Sequence, residues 1–387
     1  MPASRTVWFR SLALALGAAV VAACGASSEE GVTARSGSAT TVAAVTTAPV
    51  PATTAAPCQP APLADRAAAV LALGIGDATT PTDPLAARVA ALGVGGVILL
   101  GVNVVDSAQV TALIEGLRRQ APRRLLVAVD EEGGRVSRLR PILGSTPSAR
   151  TLGQRPLAEI TSAAAERGGV LRDLGFDLIL APVVDAEDGP AGGAIGDRAF
   201  AATPAEAGPR AGAFAEGLRR AGVAATAKHF PGQGGLADSH DGTVVSEAPM
   251  SQVERMASAG FRPVFDAGVP AVMMSHATFR ALGTLPASLE PGAYRLLRSM
   301  GFEGVAVTDA VGMSAILDRW TLPEAAVLAL AAGADLVLAT PADRATAMRD
   351  AIVAAVHDGR LPGTRLDEAV RRVTRLRGED PSTMVCG

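Results

Sequence analysis

The sequence predicts a single α/β domain closed as a (β/α)8 barrel of the TIM type. Short, almost wholly apolar runs recur eight times after Cys58, and helix-like sequence separates each from the next. Near-continuous apolar character means burial on both faces, as in the strands of a parallel sheet. A hydrophobic share of 49% against 19% charged residues is enough to bury a large core. An open, doubly wound sheet would use the same alternation, but the count of eight favours closure.

In order, the expected strands are VLALGIG (70–76), GGVILLG (95–101), RLLVAVD (124–130), FDLILAPVVD (176–185), VAATAKHF (223–230), VPAVMMSH (269–276), GVAVTDA (304–310) and GADLVLAT (333–340). Between them, SAQVTALIEGLRRQ (107–120) sets Val110, Leu113, Ile114 and Leu117 on one stripe at helical spacing. TRLDEAVRRVTRLRG (364–378) does the same and opens on a Thr364/Asp367 pair that resembles a capping box.

The chain before the barrel reads differently. Arg5 and Arg10 flank the start of a leader whose apolar run, SLALALGAAVVAAC, is too short to span a membrane, so residues 1–23 are expected to be a secretory signal. Val21-Ala22-Ala23-Cys24 resembles a lipobox, which would put a diacylglycerol on Cys24; an ordinary signal with a chance cysteine is the alternative. Residues 24–57 are rich in Ala, Thr, Ser and Pro and lack an apolar period, so they are expected to form a disordered tether. The domain at 58–387 would then sit outside the cytoplasm, held to the cell membrane by lipid alone and facing the cell wall. Cys58 and Cys386 lie at its two ends. In an oxidising compartment they are a candidate disulfide that a large loop would make worth several kcal/mol; two unpaired thiols are the alternative.

Composition excludes several functions. A net charge of −3 without a basic stripe argues against nucleic acid. With one Tyr and two Trp, a long polysaccharide cleft paved with stacking rings is not expected, whereas a small site of polar clamps is. The glycines of KHFPGQGG are followed by loop-like sequence rather than a helix start, so no dinucleotide site is expected. Asp238 and His240 supply only two metal ligands, so neither a metal nor a cofactor is expected. A monomer is expected, since no exposed apolar segment is left over.

A barrel should carry its functional groups at the C-terminal ends of its strands. Asp130 ends the third run, Lys228-His229 the fifth, Ser275-His276 the sixth and Thr308-Asp309 the seventh. Lys228 is the only lysine in the chain, and residues 228–242 hold His229 and His240, two of the four histidines. A compact ammonium and a planar guanidinium are not interchangeable at a close-fitting site, so a lysine kept in an arginine-rich chain is informative. His357 falls in a helix and is expected to be exposed. Singly, Asp309 reads as a helix cap and His276 as a structural histidine. Convergence at one barrel mouth is what points to chemistry. A carboxylate nucleophile plus a proton donor is the minimum for cleaving a glycosidic bond with retention.

Taken in order, DEEGGRVSRL (130–139), APVVD (181–185), IGDRAF (195–200), KHFPGQG (228–234), DSH (238–240), MMSHATF (273–279) and GVAVTDAVGMSAI (304–316) resemble the family 3 glycoside hydrolases. The resemblance covers residues 64 to about 376, and DSH singles out the single-domain bacterial β-N-acetylhexosaminidase branch. It implies Asp309 as the nucleophile of a covalent glycosyl–enzyme intermediate. It implies His240 as the acid/base, oriented by Asp238, and Asp130, Arg138, Arg198, Lys228 and His229 as the clamp on the sugar hydroxyls. The expected activity is exo-acting release of terminal β-linked GlcNAc from peptidoglycan-derived fragments.

The chain departs from the family pattern at Glu131, where Gln is commoner, at Gln233, where His is, and in the sequence after DSH and after the nucleophile. These departures leave the path of residues 231–246 and the substrate preference open. Phosphorolysis in place of hydrolysis, a β-glucosidase or β-xylosidase, and an inactive sugar-binding lipoprotein are the alternatives.

Overall fold

The computed structural model describes residues 58–187, 189–238, 242–340 and 342–386. The expected signal, Cys24 and the tether lie outside the described residues, and so does His240. No helix among the described residues is long and apolar enough to cross a membrane.

Eight parallel strands form the sheet: β1 (Leu71–Gly74), β2 (Gly96–Leu99), β3 (Leu126–Val129), β4 (Leu178–Ile179), β5 (Ala224–Phe230), β6 (Ala271–Met274), β7 (Val305–Thr308) and β8 (Val337–Ala339). Each pairs with its neighbours in sequence, and β8 pairs with β1 through Leu71–Val337. A parallel bridge between Val307 and Leu336 joins β7 to β8 and closes the barrel. All eight expected strands are present. β4 is shorter than its apolar run because Pro182 has no N–H to give the ladder.

Strand side chains alternate between two cores. Ala72, Ile98, Ala128, Leu178, Met273, Val305, Val307 and Leu338 point into the barrel, where small and large residues interdigitate. Val373 and Leu376 close its lower end. The outward residues, such as Leu71, Val97, Val127 and Val272, pack against the helices.

Ten helices matter for the site: α1 (Leu63–Ala69), α2 (Pro84–Ala91), α3 (Ser107–Gln120), α4 (Leu157–Leu174), α5 (Pro204–Arg220), α6 (Met250–Asp266), α7 (Pro291–Ser299), α8 (Leu322–Ala332), α9 (Ala345–His357) and α10 (Gly363–Leu376). In α3 the expected stripe of Val110, Leu113, Ile114 and Leu117 is buried, and Asp106 caps the helix by accepting from the Gln109 N–H at 2.8 Å. His357 is exposed at the end of α9, as expected.

The capping box expected at Thr364 and Asp367 does not form. α10 starts at Gly363 behind Pro362 without a side-chain cap. Arg66 of α1 takes the Asp367 carboxylate instead, a tertiary ion pair winning over a local bond. Cys58 and Cys386 are joined in a disulfide, and Ala61 donates its N–H to the Met384 carbonyl at 2.9 Å, so both ends of the domain are fastened together.

Candidate active site

Alternation along the strands decides which side chains reach the barrel mouth. Two residues beyond inward-facing Ala128 comes Asp130, and two beyond Val307 comes Asp309. On β5, Ala224 faces the interior, so Lys228 does as well. His229 has the opposite parity, but β5 is bulged at this point: Lys228 pairs with Met273 and Phe230 with Met274, leaving His229 as the extra residue. A bulge of this kind re-aims a side chain, and His229 joins the others at the mouth.

Asp130, Arg138, Arg198, Lys228, His229, Asp238 and Asp309 all line one cavity of about 320 Å³. That is at the small end of ligand pockets, which run from about 300 to 1,000 Å³. Of the expected site residues, only His240 is not among its described walls. The loop after β5 is fixed at both ends of its course. Gly234 packs so closely on Ala186 that a Cβ there would lie 1.9 Å from the Ala186 carbonyl oxygen. Further on, Val245–Ser246 pairs with Thr278–Phe279 from the loop after β6.

One wall is a network of buried charge. Lys228 Nζ donates to Asp130 Oδ1 at 2.6 Å and lies 2.6 Å from Glu132 Oε1. Arg198 holds both oxygens of Glu132, at 2.8 and 2.9 Å. Burial opposes charge on Glu132, Lys228 and Arg198, yet Lys228 and Arg198 keep the Glu132 carboxyl far below the ordinary carboxylate range. Likewise, Asp130 and Glu132 outweigh burial and hold the Lys228 ammonium above its usual value. The network therefore stays ionised and presents fixed donors to a polyhydroxylated ligand.

Asp309 sits among cationic and polar groups. Its Oδ1 accepts from the Ala310 N–H at 2.7 Å, and its Oδ2 lies 3.9 Å from His229 Nε2. Burial would raise its pKa, but the His276 and His229 rings, the Ala310 N–H and Lys228 together bring it below the ordinary aspartate range. His276 is the supporting residue that the sequence allowed it to be. Its Nε2 lies 3.0 Å from the Ala310 carbonyl and its Nδ1 2.7 Å from Ser288 Oγ.

A matching family model, described as the glycosyl hydrolase family 3 N terminal domain, spans residues 68–376. The chain belongs to glycosyl hydrolase family 3. Its sequence is 39% identical to the beta-hexosaminidase LpqI of Mycobacterium tuberculosis, over 98% of this chain and 99% of that protein. The crystal structure of a family 3 glycosyl hydrolase from Mycobacterium smegmatis matches with a TM-score of 0.75 at 37% identity, covering 81% of this chain and 97% of that one. A family 3 beta-N-acetylglucosaminidase from Paenibacillus sp. matches with a TM-score of 0.77 at 32% identity, covering 84% and 64% respectively. The chain is thus a glycoside hydrolase on a TIM-type barrel.

Within this family 3 barrel, two carboxylates hold places that the sequence alone does not assign. Glu132 lies inside DEEGG, but only the fold shows that it bridges Lys228 and Arg198. Asp185, the last residue of APVVD, is fully buried against His229. A buried acid closing an apolar run was the one available signal, since such a group must find a partner.

Proposed function

We propose that the chain is a retaining, exo-acting β-N-acetylglucosaminidase that removes terminal β-linked GlcNAc from peptidoglycan-derived fragments. The observation that carries the reaction type is Asp309, an ionised carboxylate on the wall of a cavity that Arg138, Arg198, Lys228 and His229 also line. The hexosaminidase and N-acetylglucosaminidase names of the relatives support the sugar. A cavity of about 320 Å³ supports one sugar unit at a time rather than a chain threaded through.

In this reading Asp309 attacks the anomeric carbon and the glycosidic bond breaks, giving a glycosyl–enzyme ester. His240 gives its proton to the departing oxygen. Water then attacks the same anomeric carbon and displaces the Asp309 carboxylate, the imidazole takes a proton from the water, and GlcNAc leaves with both residues restored. Imidazole serves both steps because its ordinary pKa of ~6.5 lets it donate and accept near neutrality. Asp238 is assigned the orienting role. Asp130, Arg138, Arg198, Lys228 and His229 bind the sugar. A lipid at Cys24 and the tether would keep the barrel close to the wall.

Turnover of aryl β-GlcNAc, β-glucoside and β-xyloside, each with and without phosphate, tests this reading. The expected product is free GlcNAc from the first substrate alone. Sugar 1-phosphate would replace hydrolysis by phosphorolysis, and faster glucoside cleavage would overturn the sugar assignment.

A further inference from the structure

Asp185 is fully buried at the start of the loop after β4, and its two oxygens accept three contacts. Oδ2 takes the His229 backbone N–H at 3.1 Å and meets the His229 ring at Nδ1, 2.6 Å away. Oδ1 takes the backbone N–H of Gln233 at 2.5 Å. The Gln233 side chain in turn accepts from Ser275 Oγ at 2.9 Å, at the end of β6. One carboxylate therefore ties a cavity residue to the root of the loop that carries Asp238.

A carboxylate can only accept, so the short contact at Nδ1 places the ring proton on that nitrogen. In the neutral ring Nε2 is then a bare acceptor on the cavity side. Its neighbour is Asp309 Oδ2 at 3.9 Å, a second acceptor too far away for a direct hydrogen bond. Two acceptors set apart in this way are satisfied by a hydroxyl group entering the cavity and donating to the ring.

We propose that Asp185 is a positioning residue that locks His229 as the Nδ1–H tautomer, so that Nε2 accepts a hydrogen bond from a substrate hydroxyl beside Asp309. The inference rests on the reading of the cavity as a sugar site. Replacing Asp185 by asparagine keeps the size and an acceptor for the Gln233 N–H, but puts an NH2 group where the ring and the His229 N–H have their acceptor. The ring then changes tautomer, and an Nε2–H faces both the sugar hydroxyl and the nucleophile. Hydroxyl recognition is lost and the nucleophile is weakened.

Nitrogen-15 histidine spectra and kinetics on aryl β-GlcNAc test this together. The wild-type protein is expected to show His229 protonated at Nδ1, with a downfield proton that persists in Asp309→Asn and disappears in Asp185→Asn. Asp185→Asn is expected to lower kcat/KM by about 10²-fold, the scale of a misplaced hydrogen-bond partner in a reacting centre. In a His229→Ala background the same change should lower kcat/KM by far less than about 10²-fold, because Asp185 acts on the reaction through the ring. A wild-type spectrum with His229 protonated at Nε2, alone or together with Nδ1, overturns the proposal, even if Asp185→Asn does not fold. So does an equal loss in the His229→Ala background, which would mark Asp185 as an anchor of the Gln233 loop only. Absence of turnover by the wild type would instead sink the reading of the site as a glycosidase.

Discussion

Lys228 is 2% exposed and contacts Asp130 and Glu132 at 2.6 Å each, so its removal leaves the buried Glu132 and the partly buried Asp130 without their shared ammonium. Lys228→Met is expected to lower stability by roughly 3–5 kcal/mol, the usual cost of breaking a buried pair, read as a fall in the denaturation midpoint. Lys228→Arg keeps the charge but forces a planar fork into the place of a point donor. Its kcat/KM should fall on the order of 10²-fold. Near-wild-type kinetics for the arginine variant would show that charge alone suffices.

The acids differ in sign. Asp309 and Glu132 both have native pKa values below their ordinary ones. The stability they contribute is complete above about pH 4.5 and is lost as the pH falls through the depressed native values. Asp309→Asn should therefore flatten the melting temperature profile on the acid side, and a profile with unchanged slope would contradict this. Glu131 is the opposite case. Burial raises its pKa, against the Leu139 N–H, Ser137 and Arg167. Its contribution is favourable below about pH 4.5, its ordinary value, and is lost as the pH rises through the raised one. Glu131→Gln is expected to melt higher than wild type at pH 7, with the gap closing toward pH 4. The sequence showed Glu131 as a departure but could not show its cost, which follows from burial.

At the scale of elements, one device appears on both sides of the barrel. Gly175-Phe176-Asp177-Leu178 and Gly333-Ala334-Asp335-Leu336 each end a helix on a positive-φ glycine and lead into a strand. Each aspartate accepts a backbone N–H from the preceding strand's residue, Val127 at 2.9 Å and Ala306 at 3.0 Å. Each also gathers arginines: Arg118 and Arg124 on Asp177, and Arg298, Arg365 and Arg372 on Asp335. Asp335 is fully buried, whereas Arg124 is 53% exposed. Asp335→Ala should therefore cost roughly 3–5 kcal/mol, and Asp177→Ala about 1–2 kcal/mol, nearer to the value of partly exposed pairs. Equal melting shifts would mean that burial does not set the difference. The strands and α3 were legible because period and apolar runs are local signals. The Thr364/Asp367 cap was misread because Arg66, far away in sequence, claims Asp367. The bulge that turns His229 toward the cavity also lacks a local signal, since it is a matter of pairing with β6.

For the whole molecule, the Cys58–Cys386 bond spans 328 residues and fastens the two ends of the barrel. Reduction is expected to lower the melting temperature, by as much as ~6 kcal/mol of stability if chain entropy governs, while leaving kcat/KM unchanged, since neither cysteine lines the cavity. A matched loss of activity would couple the termini to the site. Closure of the barrel was legible from the count of eight runs. The charge network of Glu132 and the buried Asp185 were not, because they arise where loops from separate strands meet.

Asp309 as the covalent nucleophile is the claim on which the account turns. An activated fluorinated GlcNAc analogue, whose glycosyl–enzyme ester hydrolyses slowly, should label the protein once, and peptide mapping should place that label on Asp309. A label on another carboxylate, or normal turnover of aryl β-GlcNAc by Asp309→Asn, would contradict it.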